Sequence, residues 1–309
     1  MANDYKASIL FHGDDHLSSK NYGGHVNYSE ESIECFQKIT DIAINENVTH
    51  IISPGDFTYG RFSLIDRILI EDELKKRNEL TNGNVYQLRG NHDYSSSGMT
   101  EWEYYVNYRK LMKPATTLEF DNCDIHMIDF GDEENRIEFK SEKENIIIGH
   151  NYFNFIDSKM PNFGKPIILD NKEEWKDVSM IMSGHIHKNF KMAGNIISDN
   201  IAHEVGLYYP GCLSRPEFTD DLTDEGEVCI IRISDIVSYE FLAVPLRPLD
   251  EAFQIIDTIK ELKKVDISDI LNGLNDKKRN IGSIWQIIDN MSEYKKEYRE
   301  KAKDLLMSV

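Results

Sequence analysis

Residues 7–16 read ASILFHGDDH, and this stretch indicates the fold class. The run from Ala7 to Phe11 is apolar and typical of a buried β-strand, and a polar cluster follows it at once. The same pattern recurs four more times along the chain, at His50–Asp56, Asn84–Asp93, Asn145–His150 and Ser179–His187. We therefore predict five strands, each with polar side chains just beyond its carboxyl end.

Two helical patterns separate the first three strands. The first helix is expected to be capped near Ser29 and to bury one stripe, formed by Ile33, Phe36, Ile39 and Ala43. The second covers roughly Leu64 to Leu80, with apolar positions at Leu64, Ile68, Ile70 and Leu74. Strand and helix alternation predicts an α/β layered fold, in which ligands collect beyond the carboxyl ends of the strands.

The chain divides near a pair of prolines. Val228–Ile233 and Val237–Val244 have the pattern of a hairpin that closes the sheet, and Pro245 and Pro248 follow it. We predict a core domain over residues 1–249 and a helical C-terminal segment over residues 250–309.

Composition excludes several classes of protein. Of 309 residues, 40% are hydrophobic, enough for a sizeable core. The start of the chain lacks the features of a signal peptide, and nowhere do about 18 apolar residues run together, so we expect no contact with a membrane. The four cysteines are far apart and form no C-x-x-C pair. Such spacing is typical of reduced thiols in a cytoplasmic protein.

The net charge of −19 bears on possible partners. Residues 251–309 hold 11 basic and 11 acidic residues, so the first 250 residues carry the whole imbalance, 24 basic against 43 acidic. Such a surface repels phosphate backbones unless cations or a partner intervene. Any nucleic-acid function must account for this repulsion.

The polar clusters together form a candidate metal centre. They contain Asp14-x-His16, Gly55-Asp56, Gly90-Asn91-His92-Asp93, Gly149-His150 and Gly184-His185-x-His187. Carboxylate, amide and imidazole ligands without thiolate suit Mn, Fe or Zn. Seven ligands exceed what one tetrahedral ion needs and suit two ions that share a carboxylate, which we expect to be Asp56. We assign to one ion Asp14, His16, Asp56 and His187, and to the other Asp56, Asn91, His150 and His185.

In this order, the five blocks resemble the calcineurin-like metallophosphoesterase superfamily. The resemblance implies a four-layer β-sandwich flanked by helices, with the same seven metal ligands. It implies that His92 is not a ligand but contacts the scissile phosphate and assists the leaving oxygen. It also allows Asp93 a role in orienting the imidazole of His92.

Two segments resemble a narrower group, the SbcD-type double-strand-break repair nucleases and their small phage counterparts. These are Gly13-Asp14-Asp15-His16-Leu17 and Tyr209-Pro210-Gly211-Cys212-Leu213, where Cys212 replaces a common serine. The resemblance implies DNA exonuclease and endonuclease activity with manganese, a homodimer, and an SbcC-type coiled-coil ATPase as partner. The ions and the ATPase would then supply the positive charge that the core lacks. The C-terminal stripes that could dock the ATPase are Phe253, Ile256 and Ile259, and Ile284, Ile287 and Ile288.

Two alternatives remain open at the level of sequence. A metallophosphoesterase acting on a small nucleotide or a phosphoprotein would suit the acidic surface, although phosphoprotein phosphatases carry G-N-H-E where this chain has Asp93. A scaffold that has lost its chemistry usually shows eroded ligands, and here all seven ligands and His92 are present. The sequence therefore favours an enzyme.

Overall fold

The structure is a computed structural model, and it describes residues 5–20, 25–60, 62–95, 98–132, 139–155, 166–169, 175–198, 201–215 and 225–253. The helical segment predicted over residues 250–309 lies outside these ranges except for its first four residues. Of the two predicted docking stripes the structure describes only Phe253, which is 1% exposed and packs against the ring of His25, so it belongs to the core and not to an exposed docking face.

The described residues form thirteen strands, and their bounds are as follows. They are β1 (Ala7–Phe11), β2 (His50–Ser53), β3 (Val85–Gln87), β4 (Thr117–Glu119), β5 (Cys123–Ile128), β6 (Glu144–Gly149), β7 (Phe153–Phe155), β8 (Ile167–Leu169), β9 (Val178–Ser183), β10 (Asn189–Ser198), β11 (Ile201–Pro210), β12 (Glu225–Ile233) and β13 (Val237–Pro245). The helices of the same residues are α1 (Tyr28–Asn45), α2 (Leu64–Thr81), α3 (Glu101–Glu103), which continues as a π-helical turn over Tyr104–Tyr108, and α4 (Leu249–Ala252).

Two large sheets make up the fold. The first has the order β13-β12-β1-β2-β3, and β1, β2 and β3 in it are parallel. The second has the order β10-β11-β9-β6-β5-β4, and β5, β6, β9 and β11 in it are parallel. A third, two-stranded sheet pairs β7 with β8. The parallel strands matter for function because the ligand blocks stand at their carboxyl ends.

The main core is packed between the faces of the two large sheets. It joins Phe11 and Ile52 from the first sheet to Ile148 and Tyr208 from the second, and Phe11, Ile52, Ile148 and Tyr208 are fully buried. Burying one such side chain contributes about 1.5–3 kcal/mol, so this contact is the main force that holds the sheets together. Helices α1 and α2 cover the other face of the first sheet. Strands β7 and β8 contribute to the core on the far face of the second sheet.

Helix α1 begins slightly earlier than predicted. Its cap is Asn27, whose side-chain oxygen accepts from the backbone N–H of Glu30 at 3.3 Å, rather than a residue near Ser29. Asparagine and serine are both good caps, so sequence alone does not choose between them. The predicted stripe of α1 is correct, because its four members are all buried, namely Ile33, Phe36, Ile39 and Ala43.

Helix α2 buries less of its surface than its sequence suggests. Ile70 and Leu74 are buried, whereas Leu64 is 76% exposed and Ile68 is 52% exposed. Its first turn therefore presents apolar side chains away from the first sheet.

The predicted α/β fold with sheets flanked by helices is confirmed. All five predicted strands and the β12–β13 hairpin are present within two or three residues of their expected ends. Six strands were not predicted: β4, β5, β10 and β11 extend the second sheet, and β7 and β8 form the two-stranded sheet. Among the described residues, no helix combines the length and apolar character that crossing a membrane requires.

Candidate metal centre

The ligand blocks meet where the two sheets present the carboxyl ends of their parallel strands. Asp14 and His16 follow β1, Asp56 follows β2, and Asn91 begins a 3₁₀ turn after β3. His150 follows β6, and His185 and His187 follow β9. Residues as far apart in sequence as His16 and His187 are thereby brought together at one point.

One group of ligands surrounds the ring nitrogens of His16 and His187. Their Nε2 atoms are 2.9 Å apart, and Oδ2 of Asp14 lies 3.9 Å from His16 Nε2 and 3.8 Å from His187 Nε2. One ligand atom from each of these three residues can approach a single ion.

A second group surrounds His150. Its Nε2 atom lies 3.2 Å from Oδ2 of Asp56 and 3.1 Å from Oδ1 of Asn91, and Nδ1 of His185 lies 3.0 Å from the same Asn91 oxygen. Oδ2 of Asp56 is also 3.5 Å from His16 Nε2, so this carboxylate stands between the groups, as a bridging ligand would. Asp14 also approaches the second group, because its Oδ1 lies 3.5 Å from His150 Nδ1.

The chemistry of this donor set fits two divalent ions. The side chains of Asp14, His16 and His150 have no solvent exposure. Oδ1 of Asp14 is buried and has no hydrogen-bond partner among the described residues, a costly arrangement unless a cation binds there. The structure thus brings all seven predicted ligands together, and their assignment to individual ions stays a prediction.

The backbone at this centre takes conformations that most residues avoid. His16, Asp56 and His185 have φ values of 44°, 48° and 72°, in the left-handed region. Such conformations cost of the order of 1–3 kcal/mol each and persist only where the surrounding structure fixes them. At these residues they turn the chain at the strand end, so that the side chain faces the centre.

Three glycines allow the backbone to pass close to the ligands. A Cβ at Gly184 would collide with Oδ1 of Asp14 and lie 2.9 Å from His150 Nδ1. A Cβ at Gly55, whose φ is 141°, would lie 2.6 Å from the same nitrogen. Gly149 differs, because a Cβ there would have ordinary contacts of 3.5 Å or more. Gly90 is like the first two, because a Cβ there would collide with Oδ1 of Asp56.

Burial and mutual charge shift the pKa values of the ligands. Burial raises the pKa of Asp14 to about 6. Burial would also raise the pKa of Asp56, but the neighbouring imidazoles, His150 first, hold it well below its usual range. Burial would lower the pKa of His150, yet the carboxylates of Asp14 and Asp56 raise it to about 9. Without metal, His150 and Asp56 therefore form a buried ion pair.

Backbone N–H groups also donate to the carboxylates of the centre. Oδ2 of Asp14 accepts from the N–H of His185 at 2.9 Å, and Oδ1 of Asp56 accepts from the N–H of His92 at 2.8 Å. Asp93 acts in the same way, because its carboxylate accepts from the N–H groups of Gly90 at 2.9 Å and Phe57 at 3.1 Å. Asp93 thus ties two ligand loops together, a contact different from the one with the His92 imidazole that the resemblance allowed.

The segment Tyr209–Leu213 supports the first ligand strand. Cys212 forms a β-bridge with Asp14, and its Sγ donates to the Asp14 carbonyl oxygen at 3.3 Å. A Cβ at Gly13 would collide with the carbonyl oxygen of Gly211, so the two chains touch. The two segments that carry the SbcD-type resemblance are therefore in direct contact at the metal centre.

His92 differs from the ligands in its exposure. Its side chain is 41% exposed, and its Nε2 lies 4.0 Å from Oδ2 of Asp56. The ring of Tyr59 packs against it with centroids 5.0 Å apart, and the same tyrosine lies 5.3 Å from the ring of His16. On the opposite group, the ring of Phe130 lies 6.0 Å from that of His185. Neither Tyr59 nor Phe130 is among the site residues predicted from sequence, although Tyr59 follows the ligand Asp56 by only three residues.

Two histidines outside the five blocks, His12 and His25, are buried and interact with other parts of the protein. His12 is fully buried, and burial lowers its pKa to about 3. His25 lies 3.2 Å from Glu31, and Glu31 also accepts from Arg215, which is itself fully buried. Asp15, between two ligands, points away from the centre and accepts from Ser53 Oγ at 3.1 Å.

Comparison with known proteins identifies the family. A model of the calcineurin-like phosphoesterase family matches residues 7–189, more than half of the chain. The chain belongs to the calcineurin-like phosphoesterase family. Members of this family use a dimetal centre, and this member has candidate residues for one. The chain is therefore a metal-dependent phosphoester hydrolase.

Solved structures of other phosphoesterases resemble this calcineurin-like phosphoesterase remotely. A predicted phosphoesterase from Streptococcus pneumoniae is 14% identical, with a TM-score of 0.34 over 78% of this chain and 93% of that one. A dimetal phosphatase from Danio rerio is 10% identical, with a TM-score of 0.40 over 79% and 100%. Yfce, a phosphoesterase from E. coli, is 12% identical, with a TM-score of 0.35 over 78% and 100%. No curated protein matches the sequence significantly.

Proposed function

We propose that this calcineurin-like phosphoesterase cleaves phosphodiester bonds in DNA, as a manganese-dependent exonuclease and endonuclease of SbcD type. The observation that carries the proposal is the contact between the two SbcD-like segments. Asp14, from the first segment, is both a metal ligand candidate and the residue that Cys212 of the second segment holds. The narrower resemblance thus concerns the catalytic centre and not a remote surface.

The exposure of the site residues fits an attack on a phosphoester. Two bound ions would activate water as the nucleophile and offset charge on the phosphate oxygens. The side chain of His92 is 41% exposed, more than that of His187 at 23%, and it can reach a phosphoester bound to ions that the buried ligands would hold. Its imidazole would donate a proton or a hydrogen bond to the departing oxygen. Tyr59 and His16 pack against this imidazole and limit its rotation.

The proposal must account for the acidic core. Of the first 250 residues, 24 are basic and 43 are acidic, so the protein alone attracts a phosphate backbone weakly. We propose that bound manganese and an SbcC-type ATPase supply the missing positive charge. Cleavage of duplex DNA should then rise when the ATPase is added.

The first two turns of α2 support the proposed homodimer. Leu64, Ile65, Ile68 and Leu69 are between 39% and 76% exposed and lie on adjacent turns of one helix. Exposed apolar faces of this kind are typical of interaction surfaces. In a symmetric dimer the same face would meet its copy, so one patch would satisfy both protomers.

The dimer can be tested with two single substitutions. Light scattering should show a dimer for the native chain and a monomer for Ile68→Glu. Ile236→Glu serves as the matched control, because Ile236 is 70% exposed in the turn between β12 and β13. A monomeric native chain, or a dimer that survives Ile68→Glu, would remove α2 from the interface.

A second candidate function follows from the acidic surface, which suits a small nucleotide or a phosphoprotein better than a polymer. The decisive assay compares linear duplex DNA, single-stranded DNA and aryl phosphomonoesters, each with manganese and with or without the ATPase. We expect cleavage of DNA and slow turnover of monoesters. Absence of DNA cleavage in every condition, together with fast monoester turnover, would favour the second candidate.

A further inference from the structure

An exposed tyrosine stands at the edge of the metal centre. Tyr94 directly follows the turn Asn91–Asp93 and is 48% exposed. Its hydroxyl donates to the carbonyl oxygen of Phe130 at 2.7 Å. The ring of Phe130 lies 6.2 Å from that of His150 and 6.0 Å from that of His185. Tyr94 therefore borders the half of the centre that these two histidines form.

The ring of Tyr94 is held in place by a cation. The Cζ atom of Arg89 lies 5.2 Å from the Tyr94 ring centroid and 4.2 Å from that of Trp102, so the guanidinium contacts both rings. Trp102 is buried, and its Nε1 donates to the Gln87 carbonyl oxygen in β3 at 2.9 Å. Glu103 accepts from Arg89 Nη2 at 3.1 Å. The exposed ring is thus anchored to the first sheet and would lose little freedom when a ligand binds.

A fixed aromatic ring beside a phosphoesterase centre suits one kind of ligand group. It offers a flat π surface to another flat π system, and in a nucleotide or nucleic-acid substrate that system is the nucleobase. Stacking needs no positive surface, and this chain has 43 acidic against 24 basic residues in its first 250. Stacking on Tyr94 would therefore supply affinity that phosphate contacts cannot.

We propose that Tyr94 forms a base-binding subsite, in which its ring stacks on the unpaired nucleobase next to the scissile phosphate. The base must be unpaired and unstacked on one side, because neighbouring pairs cover both faces of a base inside a duplex. The subsite thus selects strand ends and single strands. This inference rests on the proposed function only in requiring a substrate that carries a base.

The test compares two esters with the same leaving group, thymidine 5′-(p-nitrophenyl phosphate) and ethyl p-nitrophenyl phosphate, in the presence of manganese. Native enzyme should prefer the thymidine ester in kcat/KM by about tenfold or more, the effect expected of one stacked base. In Tyr94→Ala this preference should fall toward one, and in Tyr94→Phe, which keeps the ring, it should persist. Tyr108→Ala is the matched control, because Tyr108 is a 71% exposed tyrosine on the π-helical turn, and its preference should equal that of native enzyme.

A second arm uses a single-stranded oligonucleotide with all four proteins, and metal content and thermal melting confirm their folding. If native enzyme cleaves no DNA but its thymidine preference depends on Tyr94, the subsite is right and the DNA substrate is wrong. If native enzyme cleaves DNA but shows no thymidine preference, the subsite is wrong and the DNA substrate stands. Equal slowing of both esters in Tyr94→Ala would mean that Tyr94 only supports Phe130, and this result would also overturn the subsite.

Discussion

The metal centre has a buried floor, formed by ligands such as Asp14, His16, Asp56 and His150, and an exposed rim, which includes His92 and Tyr94. The two parts are built differently. In the floor, the side chains of Asp14, His16 and His150 have no exposure, and backbone N–H groups or the close approach of glycines fix them. At the rim, the side chains of His92 and Tyr94 are about half exposed, and mainly ring contacts hold them. This difference fits two proposed tasks, in which the buried ligands hold ions in a fixed geometry and the exposed side chains contact the substrate.

Removing the shared carboxylate of the floor should have the largest effect. Asp56 lies within 3.5 Å of ring nitrogens in both ligand groups, so Asp56→Asn weakens both ion sites at once. We expect kcat/KM to fall by about 10⁴-fold or more, together with the bound metal. Activity assays and elemental analysis would measure this. Full metal content in Asp56→Asn would show that Asp56 is not a shared ligand.

Substituting His92 at the rim should slow catalysis greatly without loss of the bound metal. His92→Asn removes the proposed proton donor, and we expect kcat to fall by about 10²- to 10⁴-fold while metal content stays the same. The loss should be greater for an alkyl leaving group than for p-nitrophenol, because a poor leaving group needs the proton more. Loss of metal in His92→Asn would show that His92 is a ligand, and would contradict the distinction between metal ligands in the floor and substrate contacts at the rim.

Substitution by alanine should affect activity strongly at Gly184 and hardly at Gly149. Gly184→Ala places a Cβ against Asp14 Oδ1, and displacing that ligand should lower kcat/KM by about 10²-fold or more. Gly149→Ala is the matched control, because its Cβ would have ordinary contacts, and its activity should stay close to native. Equal activity of the two variants would contradict the close packing of the floor.

Manganese affinity should depend on pH because His150, a ligand in the floor, must lose a proton when metal binds. The carboxylates of Asp14 and Asp56 raise the pKa of His150 to about 9, so below that pH this ring carries a proton that a metal must displace. Apparent affinity should therefore fall as pH falls from 9 to 7, by about tenfold per unit for one displaced proton. Calorimetry in buffers of different ionisation enthalpy would count the protons released. If the affinity of His92→Asn changes with pH in the same way, the effect comes from the buried ligands and not from His92. An affinity of the native chain that does not change between pH 7 and 9 would contradict the prediction.

The sequence predicts the floor better than the rim for a physical reason. Strand β1 and its polar end are contiguous in sequence, and parallel strands bring Asp14 and Asp56 to the carboxyl end of the first sheet and His150 to that of the second. The rim depends on side chains that meet only in three dimensions, such as Tyr59 on His92 and Tyr94 on Arg89. No periodicity or spacing marks such pairs.

The fold shows a similar limit. Patterns of apolar residues predict the buried stripe of α1 correctly, but they also mark Leu64 and Ile68 of α2, which are exposed. Periodicity indicates which residues are apolar and does not tell a face that meets a sheet from one that meets solvent or another protein. Strands β10 and β11 were missed because they carry charged residues such as Lys191 and Glu204 and no clear alternation.

Two ions should bind among the seven gathered ligands, and metal content with anomalous diffraction tests this most directly. The chain should bind two manganese ions, and both anomalous peaks should contact the carboxylate of Asp56. One ion or none per chain after manganese loading, or peaks away from Asp56, would contradict the account.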